Sequence, residues 1–542
     1  MSDPVRHRGL ISICSMIGVL MVVLDSTIAN VALPYMQGSL NTSLDQTTWV
    51  LTSYVIASAI MTAPVGWMAQ RFGRKNLYMF CLVGFTLTSM ACGAAQSLEQ
   101  MVLFRILQGT TGAALVPLSQ ATMLDIFPAE QRARAMAYFG MGVMIGPIMG
   151  PTLGGWLTET YNWRWVFYIN LPLGIVSTLG MALLMPRAPP RDDLRFDWTG
   201  FAVLALGVGT LQLMLDRGQT ADWFASPEII IEAVVGGLGL YLFGVHLFTS
   251  ERPFIPRALF RDRNFTTAML TMFVTNTVMM SSTALLAPYL QNLAGYPVHV
   301  TGLLLAPRGL GTMGAMLLCS RLNTRIDQRK IIAGGLVLLG LTLHDMSGWT
   351  PDIDGTWLVA MMVVQGFAMG CIWNPVTVVS FSTLPAHLRG DAAAVQSLGR
   401  NIGAAIGISV TAFLLVHSMQ VSHAGLSAGI TPFLRELPGY PLADRLLDPA
   451  THQGAALLER MIAREAMIIA YSNDFLLMSL VAIPSMALVF MMRHVTAPTG
   501  PAGGPAGGPA PTQPSGPPGR ALPASPTGAG AEPARAAAAP SR

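Results

Sequence analysis

The chain is expected to be an all-α integral membrane protein, with about fourteen transmembrane helices arranged as two six-helix bundles and two helices inserted between them. Three observations carry that expectation. Of 542 residues, 52% are hydrophobic and only 11% are charged, whereas soluble proteins carry about 25% charged residues. Apolar runs of about twenty residues, enough to cross a bilayer, recur along the chain. A segment of the first half also recurs in the second.

The apolar runs lie near 10–33, 48–69, 77–97, 100–124, 134–158 and 164–185, then 197–215 and 228–248, then 265–291, 298–319, 331–349, 356–383, 393–419 and 471–492. The first is too long for a signal peptide, contains Asp25 and has no small-residue cleavage pattern behind it, so it is expected to stay in the mature protein. Arg6 and Arg8 precede it, and every loop after an even run is basic: Arg71, Arg74 and Lys75; Arg132 and Arg134; Arg187, Arg191 and Arg195; Arg252, Arg257, Arg261 and Arg263; Arg321, Arg325, Arg329 and Lys330; Arg389; Arg493. Loops after odd runs carry Asp45, Glu99, Glu159, Asp345, Asp352 and Asp354 instead. Because Lys and Arg are held on the cytoplasmic side, both termini are expected inside.

This divides the chain into an N-terminal bundle (1–190), two inserted helices (191–255), a C-terminal bundle (256–495) and a tail (496–542). The tail is rich in Pro, Gly and Ala and is expected to be disordered. Within the C-terminal bundle, 420–470 reads as a long outside loop. Leu457, Leu458, Met461, Ile462 and Ile469 alternate there with Glu459, Arg460, Arg464 and Glu465, the pattern of a surface or docking helix.

Composition also excludes functions. A net charge of +4 on 57.8 kDa makes no basic patch for nucleic acid. The five cysteines, Cys14, Cys81, Cys92, Cys319 and Cys371, sit in apolar stretches without paired spacing, so neither a disulfide framework nor a metal site is expected. The only lysines are Lys75 and Lys330, so there is no phosphate-binding G-x-x-x-x-G-K-[ST] loop for an ATP-driven pump. A membrane-embedded hydrolase is not expected either, on the reading that neither an H-E-x-x-H nor a G-x-S-x-G motif marks one.

The repeat joins RILQGTTGAALVP to VVQGFAMGCIWNP. Gln108 and Gly109 align with Gln365 and Gly366, and Pro128 and Arg132 with Pro385 and Arg389, all at an offset of 257 residues. Two related six-helix halves are the sequence signature of a secondary transporter whose halves rock about a central site. No enzyme activity and no cofactor are expected.

A few polar residues inside the apolar runs are candidates for the chemistry. Asp25 lies two thirds along the first run, where a charge costs about 2.5–3.5 kcal/mol. It reads as a proton carrier or a contact for a cationic substrate, or as a packing carboxylate satisfied by Thr27, Asn30 or a neighbouring helix. Arg105, with Gln108 and Gly112 on the same helix face, cannot lose its proton. It could govern a nearby carboxylate, form a static pair, or snorkel to the interface. Asn30, Gln108, Gln365, Asn374 and Arg308 are expected at the central cavity, Arg308 alternatively as a snorkelling anchor. Gly142, Gly146, Gly150 and Gly154 recur every four residues with Pro147 and Pro151 between them, a smooth face for close helix approach or for sliding between states. In the loop GWMAQRFGRK, Gly66 and Gly73 suit tight packing. Arg71, Arg74 and Lys75 either set topology alone or latch helix ends, with Asp125 as a candidate partner.

These segments resemble the major facilitator superfamily, in particular its fourteen-span drug:proton antiporters of the EmrB/QacA type. LDSTIANVALP (24–34), GWMAQRFGRK, RILQGTTGAALVP and GVMIGPIMGPTLGGW are similar to that family's first-span, loop, fourth-span and antiporter motifs, and NWRWVFYINLPLG (162–174) and LQLMLDRGQTADWF (211–224) to the EmrB subgroup. The resemblance implies a major facilitator fold in a bacterial inner membrane, and export of amphipathic, often cationic or weakly acidic, toxic compounds in exchange for protons. Asp25 and Arg105 would belong to the coupling machinery, and a periplasmic adaptor and an outer-membrane channel would be partners. Gln70 departs from the pattern, since the superfamily has Asp there. A dedicated exporter of one metabolite, and a channel or non-transporting sensor, are the competing readings.

Overall fold

The computed structural model describes residues 7–128, 131–186, 191, 194–322, 326–428 and 451–493. Among them there is no strand. The long helices are α1 Arg8–Leu40, α2 Trp49–Thr62 continuing as Val65–Arg71, α3 Arg74–Ala94, α4 Leu98–Ile126, α5 Arg132–Thr160, α6 Trp165–Leu184, α7 Trp198–Arg217 and α8 Pro227–Thr249. The remainder are α9 Arg263–Leu293, α10 Val300–Leu322, α11 Gln328–Ser347, α12 Gly355–Ser382, α13 Arg389–Ala428 and α14 His452–Met491. All but α2 are long and apolar enough to cross a membrane, and α2 passes the same test as a pair of helices bent by 56°. Pro64 lies at that bend: it has no N–H to donate, and its own ψ of 1° leaves the helical region, whereas Ala63 before it stays helical.

Polar caps mark where the apolar runs begin. Ser97 accepts from the Gln100 amide ahead of α4, Asp197 from Gly200 ahead of α7, Asp262 from Phe265 ahead of α9 and Thr451 from Gly454 ahead of α14. Each satisfies one of the orphan N–H groups of a first helical turn. Ahead of α3 the chain turns through Gly73 at φ 83°, a left-handed conformation that favours glycine.

The 420–470 segment differs from the expected outside loop. Its described parts are continuations of the two flanking helices: α13 runs on to Ala428, and the stretch from Leu457 to Ile469 is the first part of α14 rather than a separate surface helix. Helix formation needs backbone hydrogen bonds and not lipid, so a helix can outlast its apolar run. Residues 429–450 and the tail expected from 496 lie outside the described residues.

The two halves have the same packing plan. α1 packs on α5 and α6, as α9 does on α13 and α14; α2 packs on α4 as α10 does on α12; α3 packs on α4 and α6 as α11 does on α12 and α14. The halves meet through α5 with α10 and α12, and through α2 and α4 with α13. Helices α7 and α8 cross closely at Gly207 and Gly239, where a Cβ on either glycine would run into the other helix's backbone, and α7 leans on α2 and α13.

At the arginine-rich end a single apolar core joins both halves, running from Leu115, Leu118 and Phe139 to Phe381, Leu384 and Leu398. At the other end the first half has its own core around Leu24, Val50 and Phe167, and the second half another around Leu339, Met362 and Phe475. The bundles share one core at the arginine-rich end, and the second half's own core also takes in Met144 of α5.

Candidate functional site

Asp25 and Arg105 meet inside the first bundle. Arg105 Nη1 donates to Asp25 Oδ2 at 2.5 Å and to Gln108 Oε1 at 2.8 Å, and its Nε donates to the Val50 carbonyl at 2.9 Å. The other carboxylate oxygen accepts from Gln108 Nε2 at 2.8 Å and Asn170 Nδ2 at 3.2 Å, and Asn170 also donates to Ser89 at 3.0 Å. The guanidinium lies 4.2 Å from the ring centre of Tyr54. Both charged side chains have no solvent exposure. Helices α1, α2, α4 and α6 thus converge on one buried carboxylate held by a guanidinium and two amides.

An isolated charge could not be kept in such a place. Taking each ion out of water costs several kcal/mol, and only a close partner with further hydrogen bonds offsets it. Arg105 Nη2 still has no hydrogen-bond partner among the described residues, so the guanidinium does not reach the interface and its pairing is incomplete. Neither Thr27 nor Asn30 helps Asp25. Thr27 turns its hydroxyl to the carbonyls of Val23 and Leu24, and Asn30 is exposed with its amide on the Ser26 carbonyl. Asn170 and Tyr54 were missed in the sequence, although Asn170 is a conspicuous polar residue within YINLPLG.

The glycine stripe of α5 faces α1. A Cβ at Gly142 would press on Met16, at Gly146 on Val23, at Gly150 on Thr27 and at Gly154 on Ile28. Pro147 points to the exposed side, and α5 nevertheless stays one continuous helix; the side chain of Pro151 lies outside the described residues. The second half repeats the device at the same offset of 257. Gly403 and Gly407 of α13 bring that helix against the carbonyls of Phe273 and Thr277 in α9.

At the arginine-rich end, Asp125 pairs with Arg74 and, across the halves, with Arg389 at 3.0 Å. Lys75 caps the end of α6 by donating to the carbonyls of Ala182 (2.6 Å) and Met185 (2.7 Å). Arg71 reaches the Arg191 carbonyl. Gln70 Nε2 donates to Asp391 Oδ2 at 2.9 Å, and a Cβ on Gly66 would overlap that same carboxyl group. The carboxylate of this junction is therefore on α13, and the loop supplies a neutral donor. Deeper in, Gln120 donates to Gln396 across the halves at 3.0 Å.

The remaining cavity candidates are not brought together. Gln365 donates to Ser282 at 3.1 Å and Asn374 to the Met316 carbonyl at 3.3 Å, both buried within the second bundle. Arg308 is also buried, donating to Thr283 at 2.8 Å, with Nε and Nη2 unpartnered among the described residues. It does not snorkel. Met362 occupies the repeat position of Arg105, so the charged pair belongs to the first half alone. The expectation on G-x-S-x-G needs correction: the letters occur once, at 425–429, but Ser427 is in the last helical turn of α13 with its hydroxyl on the Ala424 carbonyl, not at the strand-to-helix elbow a hydrolase nucleophile needs.

Residues 15–408 match the family model described as Major Facilitator Superfamily. The chain is 32% identical to the multidrug export protein EmrB of Escherichia coli K12 over 486 residues, covering 89% of this chain and 95% of that one. It is 35% identical to the probable multidrug resistance protein EmrY of the same strain over 425 residues (78% and 83%), and 31% identical to the fatty acid resistance protein FarB of Neisseria gonorrhoeae over 495 residues (90% and 97%). Among solved structures, the proton:xylose symporter XylE superposes with a TM-score of 0.54 at 15% identity, covering 87% of this chain and 94% of that one, and supports the fold. With its helices packed in two halves of one plan, the chain is a multi-pass membrane protein that belongs to the Major Facilitator Superfamily and groups there with EmrB and EmrY.

Proposed function

We propose that the chain is a proton-coupled exporter of amphipathic toxic compounds, in which the 1–190 and 256–495 bundles rock about a central cleft while the 191–255 helices brace them. The names of the EmrB, EmrY and FarB relatives support export. The observation that carries proton coupling is the Asp25–Arg105 pair, a carboxylate kept in hydrocarbon by a permanent cation. While Asp25 is ionised it draws α1, α4 and α6 together. A proton on Asp25 cancels its charge and weakens three hydrogen bonds at once, which frees α1 to move along the glycine face of α5. Asp25 is closed off in the conformation described, so proton exchange belongs to a second one, in which α1 and α4 part at this level.

The proposed location is a bacterial inner membrane, and the basic loops support an orientation with the arginine-rich end and both termini toward the cytoplasm. The described state is then closed toward the cytoplasm, with Asp125, Arg389 and Asp391 as the latch. A periplasmic adaptor leading to an outer-membrane channel is the proposed partner. The exposed Val421, Leu426, Leu457 and Met461, on the parts of α13 and α14 that outlast their apolar runs, offer it an apolar surface.

In proteoliposomes, Asp25→Asn is expected to insert normally and to lose proton-driven efflux. Undiminished exchange by that variant would move coupling to another group. Saturable flux separates this reading from a channel, and a substrate panel separates it from a dedicated exporter of one metabolite.

A further inference from the structure

The second bundle holds a carboxylate with no role in the scheme above. Asp474 of α14 is only 2% exposed, and its Oδ2 has no hydrogen-bond partner among the described residues. It lines a narrow groove of about 110 Å³ between α9, α13 and α14, room for an amine head and the first part of its chain rather than for a whole drug-sized molecule. The groove cannot close by helix approach, because Gly407 already sits against the Thr277 carbonyl. Its rim is apolar and exposed at Val410, Leu477 and Val481, so in a bilayer it opens to lipid. No lysine, arginine or histidine lines it.

A carboxylate in hydrocarbon is expensive and ordinarily pairs with a cation or donor. Asp25 obeys that rule with three donors from the protein, whereas Asp474 faces an apolar groove with an oxygen left over. We infer that this groove is an accessory binding site for amphipathic amines, which place an ammonium N–H on Asp474 and an apolar body along Val410, Leu414 and Leu477. The lining disfavours anions, since it offers them no cation, and favours primary to tertiary amines over quaternary ones, which have no N–H to donate. A free amphipathic amine and an ethanolamine lipid headgroup share this chemistry.

The test is binding to the purified full-length chain in phosphatidylcholine nanodiscs, which needs no transport and is independent of the proposed efflux function. The probe is a long-chain primary amine with an environment-sensitive fluorophore, compared with the alcohol of the same tail. Loss of a buried charge-assisted hydrogen bond is expected to weaken amine binding at least about tenfold in Asp474→Asn, with alcohol binding unchanged. Asp474→Glu is expected to retain binding, and Thr411→Trp, which fills the groove and keeps the carboxylate, to lose it. Asp25→Asn is expected to bind as the parent does. Competition by added phosphatidylethanolamine would assign the site to a lipid headgroup, and its absence to free amines. Equal amine affinity in the parent and Asp474→Asn, or in the parent and Thr411→Trp, would overturn the inference.

Discussion

Replacing Arg105 by Met, the residue at its repeat position in the second half, tests the buried pair without changing side-chain length much. In Arg105→Met the Asp25 carboxylate loses the donor at 2.5 Å and keeps only the amides of Gln108 and Asn170. The Val50 carbonyl and Gln108 Oε1 lose their donor as well. Removing one partner of a buried ion pair costs about 3–5 kcal/mol, because the other charge is left uncompensated. Asp25→Asn leaves the opposite charge bare. Its new amide keeps an oxygen that can still accept from Arg105, so its cost falls at the lower end of that range. The double variant buries no charge, so the cycle should show a coupling of about 2–3 kcal/mol, with the double variant more stable than additivity predicts. Unfolding in a fixed detergent, followed by reversible denaturation where it holds and by thermal midpoints otherwise, measures all four proteins. Additive effects, with coupling under about 0.5 kcal/mol, would refute the claim that the two residues act as one unit.

Other expectations follow from the helix contacts. Gly146→Leu and Gly150→Leu should each cut efflux in proteoliposomes by at least about tenfold, since the new side chains must enter Val23 and Thr27; parental rates in both would reduce the stripe to composition. Asp125→Asn removes the charge shared by Arg74 and Arg389. These bonds are partly exposed and worth about 0.2–1 kcal/mol each, so cysteines introduced at the arginine-rich end should label roughly two- to thirtyfold faster, and unchanged labelling would remove the latch. Gln70→Glu sets a second carboxylate beside Asp391 and should open the same end more strongly. Labelling no faster than the parent's would show that the junction does not depend on a neutral donor.

Much of the fold was legible because lipid imposes one rule on every helix, an apolar run of fixed length between charged loops. The same rule explains the errors. Hydropathy locates the bilayer and not the end of the helix, so α13 and α14 ran further than their apolar runs, and the helical stretch at 457–469 read as a separate element. Asp25, Arg105 and Gln108 were individually visible as costly polar groups on apolar faces. That Asn170 completes their network was not, since a partner two helices away has no fixed sequence spacing. Gly403 and Gly407 stood at the repeat offset of Gly146 and Gly150 and could have been found there. Asp474 lies near the start of the last apolar run, where a carboxylate reads as an interfacial residue, and only the packing of α9 and α13 over it shows that it is buried. Gln70 reads as a lost charge until Asp391 is seen opposite it.

Asp25 is the group proposed to exchange its proton for substrate. Proton release from purified protein in weakly buffered detergent, recorded with a pH indicator as an amphipathic substrate is added, tests this directly. The parent should release protons in a saturable, substrate-dependent way and Asp25→Asn should release none. Release of equal size from Asp25→Asn would show that the exchanged proton is carried elsewhere.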